Sequence, residues 1–179
     1  IKIGLTGGIA SGKTTVSKFL KKKKIPVHDS DQVVSKIYSN PSNSFLKYLI
    51  GIGLSHSIKN KKINKKTIRD EIFNNKTKKN KLEKYIHNEV RKSRDVFLKK
   101  NKKKKIKIII LDIPLLFEKN LIHVCDYIIL LYSPQKTRIK RAVLRKNISK
   151  KMVLKIIKNQ AKDRDKKKKA NFVINTSVS

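Results

Sequence analysis

The chain has 179 residues and a formal net charge of +35, and it contains a single cysteine, Cys125. That length suits one compact domain with a core of its own. No apolar run approaches the roughly 20 residues that a membrane-spanning helix needs, so we expect no membrane partner. One cysteine excludes an intramolecular disulfide and fits a reducing, cytoplasmic location, where we expect a monomer.

Lysine carries most of the charge. Lysine, isoleucine and asparagine together make up 79 of the 179 residues, whereas alanine occurs four times. These three are residues of A/T-rich codons, and lysine runs occur throughout the chain. A nucleic-acid site normally clusters its charge on one face and uses arginine. We therefore favour compositional drift, and keep a basic nucleic-acid-binding protein as an alternative.

The first 39 residues predict two strands, each followed by a helix. An apolar run over 1–5 leads into a glycine-rich loop, and apolar residues at helical spacing follow the loop. A second short strand over 25–28 contains Pro26, which cannot donate to a sheet ladder, so we expect this strand at a sheet edge. The helix after it is broken near Pro41.

The rest of the chain predicts helices and then alternating strands and helices. Between 40 and 105 the pattern is mainly helical, with a loop at about 51–60 and a long helix over about 82–98. The later segments are apolar strands over 106–111 and 126–132, basic helices over 137–146 and 150–162, and a short strand over 170–174. The two apolar strands are typical of a parallel sheet covered on both faces, so we predict an α/β fold.

The glycine-rich loop fits the pattern G-x-x-x-x-G-K-T from Gly7 to Thr14 in full. Glycines let backbone N–H groups turn toward phosphate oxygens, the lysine reaches the β- and γ-phosphates, and the threonine hydroxyl ligates Mg²⁺. A strand before the loop and a helix after it are the expected context. The predicted ATP-binding residues are Gly7, Gly8, Ala10, Ser11, Gly12, Lys13, Thr14 and Thr15.

Three aspartates follow predicted strands. Asp29 and Asp31 come after the second strand, and Asp112 comes after the strand over 106–111. Ligands of parallel sheets gather at the carboxyl ends of the strands, so each carboxylate is a candidate for the site. One of the first pair would accept a proton from an acceptor hydroxyl, and Asp112 would be associated with magnesium. Helix or turn capping is the alternative for all three.

Three of the seven arginines, Arg138, Arg141 and Arg145, lie in one predicted helix. Arg141 and Arg145 are four residues apart and would share a helix face. Arginine retained in a lysine-rich chain suggests that the fork geometry of guanidinium matters, as in a lid that clamps phosphate. A solvated basic face is the alternative.

Several of these segments together resemble dephospho-CoA kinases. The shared segments are Leu5–Val16, Asp29–Asp31, Asp112–Glu118, Arg141-x-x-x-Arg145 with the following Gln160, and Ala170–Asn175. They run in order along nearly the whole chain, and the first and third are the most specific. Two positions depart from the family's pattern: Asn88 follows His87 where the family has proline, and Asn171 stands where it has aspartate.

The resemblance implies ATP-dependent phosphorylation of the ribose 3′-hydroxyl of dephospho-CoA, giving coenzyme A and ADP in the last step of CoA biosynthesis. It also implies a single P-loop kinase domain over 1–179, with a parallel sheet flanked by helices. The parts would be a P-loop NTPase-type core (1–39, 106–132 and 166–179), a helical CoA-side insertion at about 40–105 and a helical lid at about 133–165.

The resemblance also assigns roles to residues. The candidate catalytic residues are Asp31, as the base, and Lys13, Arg141 and Arg145, which would hold the phosphates. The candidates on the substrate side are Asp29, Asp112 and His87. Mg²⁺, bound by Thr14, would be the cofactor, and ATP and dephospho-CoA would be the small-molecule partners.

A second P-loop transferase family has similar motifs. The tRNA dimethylallyltransferases have an Ala-Ser-Gly-Lys-Thr loop and an Asp-Ser-x-Gln segment, which this chain matches at 10–14 and 29–32. Those enzymes are considerably longer, and the segment Asp112–Glu118 has no natural place in them. An enzyme of this kind is therefore kept as an alternative function.

Overall fold

The structure is a computed structural model, and it describes residues 1–145 and 148–177. The strands are β1 (Lys2–Gly7), β2 (Val27–Asp29), β3 (Ile58–Lys59), β4 (Lys62–Ile63), β5 (Ile109–Asp112), β6 (Tyr127–Tyr132) and β7 (Phe172–Asn175). The α-helices are α1 (Lys13–Lys22), α2 (Ser30–Ser39), α3 (Asn43–Gly51), α4 (Lys65–Asn74), α5 (Lys76–Lys103), α6 (Gln135–Val143), α7 (Lys150–Asn159) and α8 (Asp163–Lys169). Within the described ranges, no helix is both long and apolar enough to cross a bilayer.

The chain divides into two compact units. The first unit combines Ile1–Asp29 with the chain from Asn101 onward, and the second unit is the continuous segment Ser30–Lys100. The first unit is therefore built from two separate pieces of sequence, whereas the second is built from one.

A five-stranded parallel sheet forms the centre of the first unit. Its strand order is β2-β5-β1-β6-β7, and every neighbouring pair is parallel. The predicted α/β fold with a parallel sheet is confirmed. The second strand lies at the edge of the sheet, as Pro26 predicts. The Pro26 carbonyl accepts the Ile110 N–H at 2.9 Å, and because β2 has a neighbour on one side only, no sheet hydrogen bond is lost through the N–H that proline lacks.

Apolar side chains of β1, β5 and β6 anchor helix α1. Leu5, Ile110 and Leu131 are almost fully buried, and Val16 and Leu20 of α1 pack against them. All four residues of β5 are buried, as expected for a strand covered on both faces. This packing fixes the beginning of α1 at the carboxyl edge of the sheet.

The second unit has its own core. Six buried residues form it: Phe45, Leu49, Leu54, Ile68, Leu82 and Ile86. Tyr85 stacks on Phe45 and on Tyr48, with ring centroids 5.1 Å and 4.4 Å apart. The apolar stripes that predicted helices between 40 and 105 are therefore the residues that pack this core.

Several element bounds differ from the sequence predictions. The predicted loop at 51–60 contains a short 3-10 helix and β3, which pairs with β4 around Asn60 and Lys61, both at positive φ. Two-residue strands are too short to show an alternating pattern. Strand β5 begins at Ile109 rather than at 106, and the Ile106 N–H still belongs to the turn after α5, where it donates to the Asn101 carbonyl at 3.1 Å. Helix α8 was not predicted, since its lysine-rich sequence has no apolar stripe.

Candidate active site

The glycine-rich loop joins the end of β1 to the start of α1. Ala10 and Gly12 have left-handed backbone conformations, with φ of 58° and 85°. The Gly12 carbonyl accepts the N–H groups of Thr15 and Val16 at 3.0 and 3.1 Å. No side chain in the described part of the chain caps α1, and a helix start of this kind is a typical binding site for phosphate groups.

Lys13 and Asp112 form an ion pair beside this loop. The Lys13 Nζ lies 2.6 Å from the Asp112 Oδ1, and Asp112 is almost fully buried at the carboxyl end of β5. Burial raises the pKa of the Asp112 carboxyl, and the Lys13 ammonium opposes that shift. The pair brings a fixed cation and an oxygen ligand to the same edge of the sheet.

Asp29 belongs to the same cluster. It is the last residue of β2, and the register of the parallel strands sets it opposite Asp112. Its negative charge adds to the rise in the pKa of Asp112. Lys21 of α1 lies 3.4 Å from the Asp29 carboxylate. The structure therefore brings together Lys13, Asp29 and Asp112, as the carboxyl-end argument predicted.

Asp31 and His87 belong to the second unit. Asp31 is in the first turn of α2, two residues along the chain from the end of β2, and its side chain is exposed. His87 lies on α5 and is also exposed. Their proposed roles rest on position in the sequence.

The two arginines predicted to share a helix face differ in burial and in hydrogen bonding. Arg141 lies in α6, and its Nη2 donates to the Thr176 carbonyl at 2.7 Å, while the Thr176 hydroxyl donates to the Ser11 carbonyl at 2.9 Å. Arg145 lies beyond the end of α6 and is exposed, because the helix closes with a tighter bond from the Arg145 N–H to the Ala142 carbonyl. The shared helix face predicted for the pair is therefore wrong.

Thr14 and Thr15 are exposed on the first turn of α1. Over the described ranges, no three residues of the His, Cys, Asp and Glu types are grouped so as to hold a metal ion. Mg²⁺ in nucleotide sites takes only one or two protein ligands and completes its shell with phosphate and water. The Thr14 hydroxyl and the Asp112 carboxylate are oxygen groups of the kind that it needs.

The side chain of Gln160, directly after α7, also contacts the loop. The Gln160 Oε1 accepts the N–H of Ile9 at 3.2 Å. One residue further on, the Ala161 N–H donates to the Glu118 Oε1 at 2.9 Å, and Lys166 pairs with the same carboxylate oxygen at 3.1 Å. Gln160 and Glu118 belong to segments singled out in the sequence, but their contacts were not predicted.

Comparisons with known proteins point to one family. The sequence profile of a family described as dephospho-CoA kinase matches residues 1–179. A dephospho-CoA kinase of Fusobacterium nucleatum is 39% identical over 173 residues, covering 96% of this chain and 87% of the relative. One from Bartonella henselae is 34% identical over 176 residues, covering 97% and 88%.

Two solved structures have the same fold. A crystal structure of a protein from Thermus thermophilus superposes with a TM-score of 0.83 and 26% identity, covering 100% of this chain and 90% of the other. A dephospho-CoA kinase from Campylobacter jejuni superposes with a TM-score of 0.71 and 26% identity, covering 99% and 89%.

Proposed function

The chain belongs to the dephospho-CoA kinase family, and from that premise we propose how its residues transfer the γ-phosphoryl group of ATP to the ribose 3′-hydroxyl of dephospho-CoA. It is an ATP-dependent kinase, and the products are coenzyme A and ADP. One observation carries the proposal: a complete phosphate loop, with Lys13 beside Asp112, in a chain that matches the family over its whole length. A tRNA dimethylallyltransferase or a nucleic-acid-binding protein is not supported by these matches.

The loop from Gly7 to Lys13 binds the phosphates of ATP. Its backbone N–H groups and the uncapped start of α1 present partial positive charge, and the Lys13 ammonium adds a full charge. Phosphoryl transfer has a loose transition state, so positioning and charge neutralisation contribute more than the strength of a base. The buried Asp112 orients Lys13 toward this task.

Kinases of this type use ATP together with a divalent metal, and we propose that the metal is Mg²⁺. The Thr14 hydroxyl would hold it, with the Asp112 carboxylate as the second protein oxygen. When bound, the ion neutralises charge on the β- and γ-phosphate oxygens. The choice of Mg²⁺ is supported by the oxygen groups of Thr14 and Asp112 beside the loop, because this ion binds through one or two protein oxygens and takes its other ligands from phosphate and water.

Asp31 is proposed as the base that accepts the proton of the acceptor hydroxyl. Asp29 is engaged by Lys21 and faces Asp112 in the register of the strands, so its role is to support the cluster. The next carboxylate along the chain, Asp31, is exposed and matches the second aspartate of the family's motif. Its assignment over Asp29 rests on these two points.

Arg141 and Arg145 are proposed to hold the transferring phosphate. Arg141 is tied to the loop through Thr176, which places its guanidinium on the loop side of α6. Arg145 lies in the segment after α6, where an exposed side chain is accessible to substrate. His87 is kept as a candidate on the side of dephospho-CoA, in the proposed insertion at 40–105. The segment 133–165 is the proposed lid.

A cytoplasmic, monomeric enzyme completes the proposal. The use of ATP and the single cysteine support the location. Light scattering on the purified protein measures its molar mass and so tests whether it is a monomer.

The experiment that tests the function is a substrate screen with ATP and Mg²⁺. Dephospho-CoA is compared with nucleosides, small acids that carry hydroxyl groups, and tRNA, and the product is identified by mass. We expect transfer to dephospho-CoA, with the new phosphate on the ribose 3′-oxygen. A preference for another acceptor would contradict the proposal.

A variant of the loop lysine tests the mechanism. Lys13→Ala removes the charge that neutralises the β- and γ-phosphates and leaves Asp112 without its partner at this position, so we expect a loss of turnover of about 10²-fold or more. Circular dichroism checks that the fold is kept. Lys18→Ala, at an exposed position of the same helix, is the matched control, and we expect it to retain most of the activity.

A further inference from the structure

Arg138 is a buried ionisable residue that the proposed mechanism does not use. It lies on α6, and its side chain is 3% exposed. Its Nε donates to the Ser133 carbonyl at 3.0 Å, and its Nη2 donates to the Asp163 carboxylate. A buried guanidinium is stable only when its charge is paired and its donors are used, and these contacts fulfil that requirement.

The third nitrogen of this guanidinium lies against the phosphate loop. A Cβ atom built on Gly8 would collide with the Arg138 Nη1 and would lie 3.0 Å from its Cζ. Gly8 does not have a positive φ, so the close approach of Arg138, not the backbone conformation, is what requires glycine there. The loop and the guanidinium are therefore in direct contact.

Neighbouring contacts hold the same arm of the loop. The next peptide N–H, that of Ile9, donates to Gln160, whose Oε1 is 3.4 Å from the position of a Gly8 Cβ. Ala10 packs in a small apolar cluster with Ala142 of α6 and Val153 of α7. Three successive loop residues, Gly8, Ile9 and Ala10, therefore contact side chains from the segment that follows β6.

Asp163 restricts the orientation of the Arg138 guanidinium. It comes from the start of α8, and its carboxylate accepts from the Nη2 while the Ser133 carbonyl holds the Nε. A planar fork bound at two of its nitrogens has a fixed orientation for the third. A lysine at this position could keep the charge but could not make all three contacts.

We propose that Arg138 is a positioning residue for the phosphate loop. Its guanidinium, fixed by Asp163 and Ser133, supports the Gly8–Ile9 arm in the conformation that presents the loop N–H groups to the phosphates of ATP. The proposal deepens the proposed kinase function and rests on it. Arg138 acts through the loop and does not touch the reacting atoms.

The test measures nucleotide binding separately from catalysis. Arg138→Met and Arg138→Lys are compared with wild type for the Kd of ATP by calorimetry, and for both KM values. We expect the Kd and KM for ATP to rise by roughly tenfold in both variants, as for loss of a charged hydrogen bond, and the KM for dephospho-CoA to stay unchanged. Arg164→Met, an exposed arginine on α8, is the matched control and should leave all three constants unchanged.

Further variants keep the proposal testable if the Arg138 variants fold poorly. Asp163→Asn keeps Arg138 in place but weakens its anchor, and we expect a smaller rise in the Kd for ATP. Gly8→Ala should also raise this Kd, and less so in the Arg138→Met background, where the colliding nitrogen is gone. Additive effects of Gly8→Ala and Arg138→Met would overturn the proposal. So would a lower melting temperature with an unchanged Kd in Asp163→Asn or in the Arg138 variants.

The calorimetric arm separates this proposal from the kinase function. If the wild type binds ATP but does not phosphorylate dephospho-CoA, the proposed function fails, while the effect of Arg138 on ATP affinity is still measured. If the wild type is an active kinase and the Arg138 variants bind ATP normally, only the positioning role fails.

Discussion

Asp112 is a buried carboxylate whose pairing with Lys13 is expected to add little to stability. Its carboxyl is nearly inaccessible, and burial raises its pKa despite the adjacent Lys13 ammonium. Buried ion pairs are weak contributors to stability, because desolvation offsets most of the Coulomb attraction. We infer that this pair is kept for its effect on Lys13, which it holds beside the phosphate loop.

The choice between the two adjacent aspartates can be tested directly. Asp31→Asn keeps the size and hydrogen-bonding capacity of the side chain but cannot accept the ribose proton, so we expect turnover to fall by roughly 10²–10⁴-fold, the range for a positioned base. The affinity for ATP should be nearly unchanged. Single-turnover transfer to dephospho-CoA and calorimetric titration with ATP measure the two quantities.

Asp29→Asn is the matched comparison for Asp31. It removes the ion pair with Lys21 and a negative charge opposite Asp112, so we expect a milder loss. If Asp29→Asn abolishes transfer and Asp31→Asn does not, the two roles are reversed. If both variants stay active, the base lies elsewhere and Asp112 is the next candidate.

The two proposed phosphate-binding arginines differ in how much the fold constrains them. Arg141→Lys and Arg145→Lys keep the charge but lose the paired N–H donors of guanidinium, so we expect both to reduce kcat/KM, by about tenfold or more. Arg141→Lys also removes a bond to the Thr176 carbonyl, so it alone should lower the melting temperature. Wild-type kinetics for both would indicate that these side chains are only solvated charge.

At the scale of elements, helices α1, α3 and α5 and the turn over 114–119 end in the same way. In each, the residue after the cap has a positive φ: Lys24, Gly53, Lys105 and Asn120. In α1, for example, the Lys24 N–H bonds to the Lys21 carbonyl and the Ile25 N–H to the Leu20 carbonyl, and the other three have the equivalent pair of bonds. This is the Schellman arrangement, which favours glycine at the left-handed position.

Lysine occupies the left-handed position at two of these turns, and glycine there would relieve the backbone strain. A left-handed conformation is unfavourable for a residue with a Cβ, so Lys24→Gly and Lys105→Gly should each raise the free energy of unfolding by about 1 kcal/mol. Urea denaturation measures the change. Lys23→Gly, at the neighbouring position with a φ of −77°, is the control and should give no gain.

Element prediction from the sequence worked where burial imposed a pattern. The apolar runs of β5 and β6 and the stripes of the second core were visible because one or both faces are packed. The hairpin β3–β4 and helix α8 were not, since two-residue strands and a seven-residue lysine-rich helix have too little buried surface to shape their sequences. The phosphate loop was visible because its chemistry dictates residue types at fixed spacing.

The contacts of the site were harder to predict than its residues. Gly7–Thr14, Asp29 and Asp112 could be identified from motif and strand position. Arg138 carried the same signal as Arg145, an arginine retained among lysines, but only the structure distinguishes the buried Arg138 guanidinium against Gly8 from the exposed Arg145 side chain. Such contacts join segments far apart in the sequence, and a single chain gives no pattern for them.

At the scale of the whole molecule, the lysine excess is the dominant property of the surface. Lys102–Lys105 are all exposed and lie outside every motif of the site. Exchanging these four for glutamine should change kcat/KM by no more than about twofold, as expected for surface substitutions. The assay is run with dephospho-CoA at low and moderate salt.

The salt series also tests the alternative explanation of the charge. A large loss in the glutamine variant that added salt reproduces in the wild type would indicate a functional polyanion surface. The same activity for both proteins at each salt concentration would support compositional drift.

The division of the first unit into two pieces of sequence has a consequence for synthesis on the ribosome. β1 and the phosphate loop emerge before the second unit, but their neighbours β5 and β6 are made only after all of it. The second unit is continuous and can collapse while translation proceeds, whereas the loop must wait for partners that close a long stretch of chain. A nascent chain that stops before β5 therefore contains the whole phosphate loop but neither of the strands that flank β1. We expect such a product to gain little stabilisation from ATP and to be left to chaperones and proteases.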